Sequence, residues 1–178
     1  MSLKSHAIVI NHSAVETDIP LDEDYRQLCI STAKELGDKQ DRKTNLQGFM
    51  TSYTIHHETD VYNSLLSKIA CVINSLVGER LVVSGFSSFT FHSAWVGIYN
   101  SIGDYAKPHK HDPSFLSFCY YLQASEDSSP LVFTENGCSI QPSTGKLVVF
   151  PSDAIHEVPP QSVKEERVIF AGNLKVDI

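Results

Sequence analysis

The sequence lacks any CxxC pair, and its 4 cysteines, Cys29, Cys71, Cys119 and Cys138, show no regular spacing. That excludes an obvious disulfide framework or thiolate metal site and points to buried thiols in a reduced, cytoplasmic protein. Basic residues are also few. The 14 Lys and Arg stand against 21 Asp and Glu, a formal charge of -7, so no nucleic acid and no anionic membrane surface is expected as partner. Long apolar runs are missing too. The amino-terminal MSLKSHAIVINHSA is apolar for only a few residues, too short for a signal-peptide core or a membrane span, and reads as a first strand. There is no internal repeat, no low-complexity tract and none of the bias of disordered chains. What is present is a chain of 178 residues, 42% hydrophobic and 20% charged, long enough to bury a sizeable core without staples and compatible with a homodimer.

Two amphipathic segments come first. Residues 22–36 place Tyr25, Leu28, Cys29, Thr32 and Leu36 at helical spacing, open with acidic residues and stop at Gly37. Residues 60–77 repeat the pattern with Val61, Leu65, Leu66, Ile69, Val72, Ile73 and Leu76, after Thr59 as a cap and before Gly78. From Glu79 the period becomes two. ERLVVSGFSSFTFHSAWVGIYN, FLSFCYYLQ, PLVFTE, GKLVVFPS and RVIFAGNLKV have strand lengths, with Gly, Pro, Asn, Asp and Ser between them. The pattern predicts one domain over residues 1–178, mainly β with flanking helices: a helical cover over about 20–78 and a jelly-roll core over about 79–176. QASEDSSP, residues 123–130, is expected to be a mobile surface loop.

Chemistry concentrates in KPHKHDPS, residues 107–114. In an extended chain residues i and i+2 share a face, so His109 and His111 can offer two imidazoles to one ion while Lys110 points away. A third imidazole is available in GKLVVFPSDAIHEV, where a turn, a buried strand and a second turn carry His156 toward the mouth that a jelly roll closes around. Arg167 opens the apolar strand of EERVIFAGN and shares a face with Ile169, Ala171 and Asn173. A buried guanidinium is costly unless an anion pairs with it. The plain alternative is a strand-end arginine in solvent, neutralised by Glu165 or Glu166.

Together these pieces resemble the iron(II) and 2-oxoglutarate dependent dioxygenases, and more closely a phage and bacterial prolyl hydroxylase-like branch of them. The resemblance runs over roughly residues 45–173, through Asn45 with Gln47-Gly48, Trp95 in AWVGIYN, Tyr99 with Gly103 and Tyr105, HKHDPSFLSFCYYL, GKLVVFPSDAIH and ERVIFAGN. It implies a double-stranded β-helix, the cupin-like jelly roll. It implies Fe(II) on His109 and His156, the distal carboxylate of 2-oxoglutarate on Arg167, and Tyr99, Tyr121 and Ser117 around that cosubstrate. Trp95 and Asn173 then stand near the substrate or behind the ligands. The implied reaction uses O2, releases succinate and CO2, and hydroxylates an unidentified small molecule or protein side chain.

One position departs from the pattern. Most of the family carries Asp or Glu two residues after the first histidine, whereas this chain has His111 there and Asp112 one residue late. Either three imidazoles hold the iron, with Asp112 orienting one of them, or a bulge turns Asp112 inward as the ligand in place of His111. The branch resemblance favours the first. Two further readings stay open: a three-histidine, cupin-like metalloenzyme with Arg167 on the surface, and a metal-free binding module with its histidines spread apart.

Overall fold

A computed structural model describes residues 4–9, 12–38, 44–83 and 88–177. In chain order the elements are β1 (Lys4–Val9), β2 (His12–Asp18), α1 (Glu23–Leu36), β3 (Leu46–Gln47), β4 (Phe49–Met50) and α2 (Ile55–Glu58). A 3-10 turn at Asp60–Tyr62 leads into α3 (Asn63–Val83), followed by β5 (Ser88–Tyr99), β6 (Tyr105–His109), β7 (Leu116–Gln123) and β8 (Leu131–Phe133). The last four strands are β9 (Cys138–Ile140), β10 (Lys146–Pro151), β11 (His156–Val158) and β12 (Arg167–Asp177). Among the described residues the strands form two antiparallel sheets, ordered β1-β2-β10-β7-β12-β5-β4 and β3-β6-β11-β8-β9. This is a jelly roll with the helices on the outer face of its larger sheet.

Both faces of that sheet are covered, which explains why FLSFCYYL reads as one apolar run. Phe118, Tyr120 and Leu122 of β7 pack with Cys29, Ile30, Leu65 and Ile69 of the helices. The alternate residues, Cys119 and Tyr121, join Trp95, Tyr99, Phe133 and Phe150 between the sheets. Strand β12 divides in the same way: Val168, Phe170 and Leu174 face the helices, while Ile169 and Ala171 face the other sheet. Arg167 stands on that inner side, as its period-two spacing from Ile169 requires.

Helix α1 begins where the sequence places it, with the Asp22 carboxylate accepting the N–H groups of Asp24 and Tyr25 and with Gly37 after its last residue. Its buried stripe is centred on Cys29, Ile30 and Ala33, so the expected core residue Leu28 is 49% exposed. Helix α3 does not stop at Gly78. It continues to Val83, so the strand expected from Glu79 begins only at Ser88, and residues 84–87 of that expectation lie outside the described residues. One interior glycine costs a helix about 1 kcal/mol relative to alanine, and Val77 and Leu81 extend the apolar spacing of Ile69 and Ile73 past it. The amino-terminal stretch expected as a first strand divides into β1 and the start of β2, and its residues 1–3, 10 and 11 lie outside the described residues. The loop 123–130 is also more anchored than its composition suggests. Ser128 and Ser129 are buried; the Gln141 amide donates to the Glu126 and Ser128 carbonyls, and Ser129 N–H donates to Gln161.

The expected helical cover contains two short strands that close one side of the inner cavity. Strand β3 pairs with β6 in the small sheet and β4 with β5 in the large one. Gly48 makes the crossing between them at φ 150°, where a Cβ would lie 2.7 Å from the Ile98 carbonyl oxygen. Only glycine accepts both the torsion and the approach.

Candidate functional site

His109 ends β6, His156 begins β11, and the two are register partners across the ladder. His111 follows just beyond β6. One ring nitrogen from each of the three comes within 4.8 Å of the others, with ring centroids 4.3 Å apart for His109–His156, 4.9 Å for His109–His111 and 5.1 Å for His111–His156. A nitrogen bound at about 2.1 Å from an ion would sit closer to its fellows, so occupation draws the rings together slightly. The Nδ1 of His109 donates to the Lys107 carbonyl at 2.6 Å and that of His156 to the Ala154 carbonyl at 2.9 Å. These bonds set the tautomer and leave the other nitrogen's lone pair for an ion.

Burial keeps the cluster neutral. Desolvation, followed by the neighbouring His109, pushes His111 down to about 3. His156 is held well below its ordinary value by burial and by the other two rings, and His109 is lowered by burial against the opposing pull of its Lys107 hydrogen bond. Three neutral imidazoles suit a divalent transition ion such as iron or zinc. The same shifts fix the sign of a pH effect in the metal-free protein. Below the ordinary histidine value of about 6.5 the unfolded chain binds protons that the folded cluster refuses, so stability falls as pH drops. For His111 the loss continues toward about 3. With metal chelated, we expect the urea midpoint to fall between about pH 7 and pH 5, and to fall less in His111→Ala. An equal slope in the two proteins would mean that His111 titrates normally.

Arg167 lines the same cavity and is 0% exposed. Its Nη2 donates to the Tyr121 hydroxyl at 3.5 Å, and its Cζ is 4.4 Å from the Tyr99 ring centre and 5.2 Å from that of Tyr121. Nε and Nη1 have no partner. Burial raises the phenols of Tyr99 and Tyr121 and pushes the Cys119 thiol up to about 11, so all three are neutral at pH 7. Glu166 pairs with Lys34 at 2.9 Å, and Glu165 is exposed. Among the described residues no carboxylate forms a salt bridge with Arg167, which leaves it a buried cation without a protein counter-charge.

Other residues named from the sequence divide. Trp95 lines the cavity, 5.6 Å from the His111 ring and edge-on to Tyr53 at 5.2 Å. Asp112 turns outward to pair with Lys110 at 2.5 Å. Among the described residues it stands outside the convergent histidine set and bonds no imidazole, and the His111 N–H donates to the Ser152 carbonyl. Ser117 and Asn173 are buried outside the cavity lining, where Ser117 Oγ donates to Asn173 Oδ1 at 2.8 Å. Met50, Tyr53 and Cys119 line the cavity unannounced. Cys119 lay hidden in an apolar run, and the segment bearing Met50 and Tyr53 has no periodicity. That segment is held by main-chain bonds from Thr51 to Val96 and from Ala94 to Tyr53. The cavity encloses about 680 Å³ of empty space, including its opening to solvent.

Residues 94–175 match the family model of the 2OG-Fe(II) oxygenase superfamily. No curated protein matches the chain in sequence. Among solved structures, a viral collagen prolyl hydroxylase from Paramecium bursaria Chlorella virus-1, in complex with 2OG, is 14% identical over 93% of this chain and 96% of its own, with a TM-score of 0.68. A prolyl-4-hydroxylase from Pseudomonas putida is 20% identical over 93% of each chain, with a TM-score of 0.65. The non-heme α-ketoglutarate dependent epimerase SnoN of nogalamycin biosynthesis is 14% identical over 92% of this chain and 76% of its own, with a TM-score of 0.67. At these identities the likeness is one of fold.

Proposed function

The chain carries a 2OG-Fe(II) oxygenase domain over residues 94–175, and from that premise we propose that His109, His111 and His156 hold the Fe(II), that Arg167 binds the distal carboxylate of 2-oxoglutarate, and that an uncharged C–H group is hydroxylated. The enzyme is an iron(II)- and 2-oxoglutarate-dependent oxygenase that uses O2. The observation carrying the residue assignment is the wholly buried Arg167 with Nε and Nη1 unpartnered, in the same cavity as three neutral imidazoles. Guanidinium presents a planar fork that matches a carboxylate. A cupin-like metalloenzyme without 2-oxoglutarate would have no use for it.

When bound, the iron supplies the redox chemistry by which 2-oxoglutarate and O2 become succinate and CO2 and the substrate is oxidised. The chain supplies placement. The carbonyls of Lys107 and Ala154 hold two imidazoles by their Nδ1 protons. Tyr99 and Tyr121 flank the guanidinium, and Leu131, Phe150, Ile169 and Ala171 keep water from the cosubstrate. Apart from Arg167 the lining, which includes Thr44, Asn45, Leu46, Met50, Tyr53 and Trp95, carries no charge. An anionic or cationic group would lose hydration there with nothing in return, so the substrate's reacting portion is uncharged. A cytoplasmic location fits the four free cysteines. No described helix is long and apolar enough to cross a membrane.

The test is succinate release. Purified protein with Fe(II), ascorbate and 2-oxoglutarate in air should form succinate above an iron-free control, and a chelator should stop it. Absence of succinate together with absence of 2-oxoglutarate binding under anaerobic conditions would leave a metal-binding jelly roll.

A further inference from the structure

Two of the three imidazoles are held by their own side chains. His109 and His156 sit in paired strands, and each donates Nδ1–H to the carbonyl two residues earlier. His111 has neither support. It lies beyond β6, and its ring makes no hydrogen bond among the described residues. Its position comes from the main chain: His111 N–H donates to the Ser152 carbonyl at 2.7 Å, the His111 carbonyl accepts from Ser114 N–H at 3.0 Å, and Ser152 N–H donates to the Phe115 carbonyl at 3.3 Å. Ser152 thus grips both ends of the turn that carries His111.

Ser152 is itself tied down. It is 0% exposed although it lies in a turn after β10. Its Oγ is 2.7 Å from Ser117 Oγ; Ser117 Oγ donates to Asn173 Oδ1 at 2.8 Å, and Asn173 Nδ2 donates to Ser93 Oγ at 3.0 Å. Since Ser117 has one hydroxyl proton and gives it to Asn173, the Ser152 hydroxyl must be the donor to Ser117. The donors therefore all point one way, an arrangement in which each bond polarises the next. Asn173 is the register partner of both Ser117 and Ser93, so the chain runs straight across β7, β12 and β5. A buried polar chain of this kind gains little over apolar packing of the same shape, which leaves its rigidity as its distinguishing property.

We propose that the Ser152–Ser117–Asn173–Ser93 chain positions the His111 ligand, with Ser152 as the residue that sets metal affinity without touching the metal. The inference rests on the three-histidine metal reading above. Co(II) serves as the probe with the full-length protein, read by its visible spectrum and by quenching of Trp95, the sole tryptophan. Loss of a hydrogen bond supporting a ligand typically costs about 10–100-fold in metal affinity. Ser152→Ala keeps the main-chain bonds and removes the side-chain anchor behind them, so it should lose up to about that factor and should shift the Co(II) spectrum toward that of His111→Ala, while the thermal midpoint of the metal-free protein moves little. Ser117→Ala, one link further away, should act in the same direction and guards against a Ser152 variant that folds poorly. In a His111→Ala background Ser152→Ala should add no further loss. A chain that merely stiffens the sheet would weaken the residual His109 and His156 site as well. Unchanged Co(II) affinity and spectrum in both serine variants, or an equal loss in the His111→Ala background, would overturn the proposal. If the wild type takes up no Co(II), the metal reading falls first and this inference with it.

Discussion

Arg167→Ala should weaken 2-oxoglutarate binding by about 2–5 kcal/mol, the usual cost of removing one partner from a buried, hydrogen-bonded ion pair. The titration is made at fixed Fe(II) without oxygen, so that turnover does not obscure it. Metal affinity should hold, because Arg167 is not among the three residues whose nitrogens converge. The guanidinium is fully buried with Nε and Nη1 unpartnered, so the cosubstrate carboxylate meets donors that have no competing bond to break. Arg167→Lys should fall between wild type and alanine, keeping the charge but losing the fork. Unchanged affinity in Arg167→Ala would place the cosubstrate elsewhere and remove the observation on which the residue assignment rests.

His156→Ala should abolish iron binding and 2-oxoglutarate turnover while leaving the fold intact. His156 is the most buried of the three, 4% exposed and ring to ring with both other histidines. Deleting a ligand should cost more than the ~10–100-fold lost with a ligand's supporting hydrogen bond. The fold should survive, since the helix-packed core of Tyr62, Leu65, Ile69 and Phe170 does not include His156. Far-ultraviolet circular dichroism and the thermal midpoint check this, and a variant that is unfolded with or without iron would make His156 structural. Asp112→Ala is the contrasting control. Its carboxylate pairs with Lys110 at the surface, a bond worth about 0–1 kcal/mol, so iron binding should be retained. Loss of iron there would mean that the turn rearranges to bring Asp112 inward.

Local rules carried a long way in this protein. Asp22 and Gly37 bound α1 because a cap and a stop act on their immediate neighbours. That Arg167 shares a face with Ile169 and Ala171 follows from a period of two, which needs nothing beyond the strand itself. His109 and His111 attract notice for the same reason. Gly78 misled because the cost of a mid-helix glycine is small beside the packing of a whole helix, and packing is a tertiary quantity.

What the sequence by itself determined is the jelly roll with its flanking helices and the residue types of the candidate site: imidazoles at 109, 111 and 156, and an arginine at 167 on the same face of its strand as Ile169, with its burial left open. The tertiary structure decided which neighbours those residues received. Asp112 and His111 are adjacent, and nothing within the segment 107–114 chooses between them. In the structure Asp112 pairs with Lys110 at the surface, while the His111 N–H bonds the Ser152 carbonyl, which reaches it from a turn between two other strands. Ser117 and Asn173 lie on inner faces as their spacing requires, yet they meet each other and Ser93 across a ladder in place of the cavity. Periodicity fixes a side chain's face within its own strand. Register across strands, set by hydrogen bonds between distant segments, fixes what that face touches.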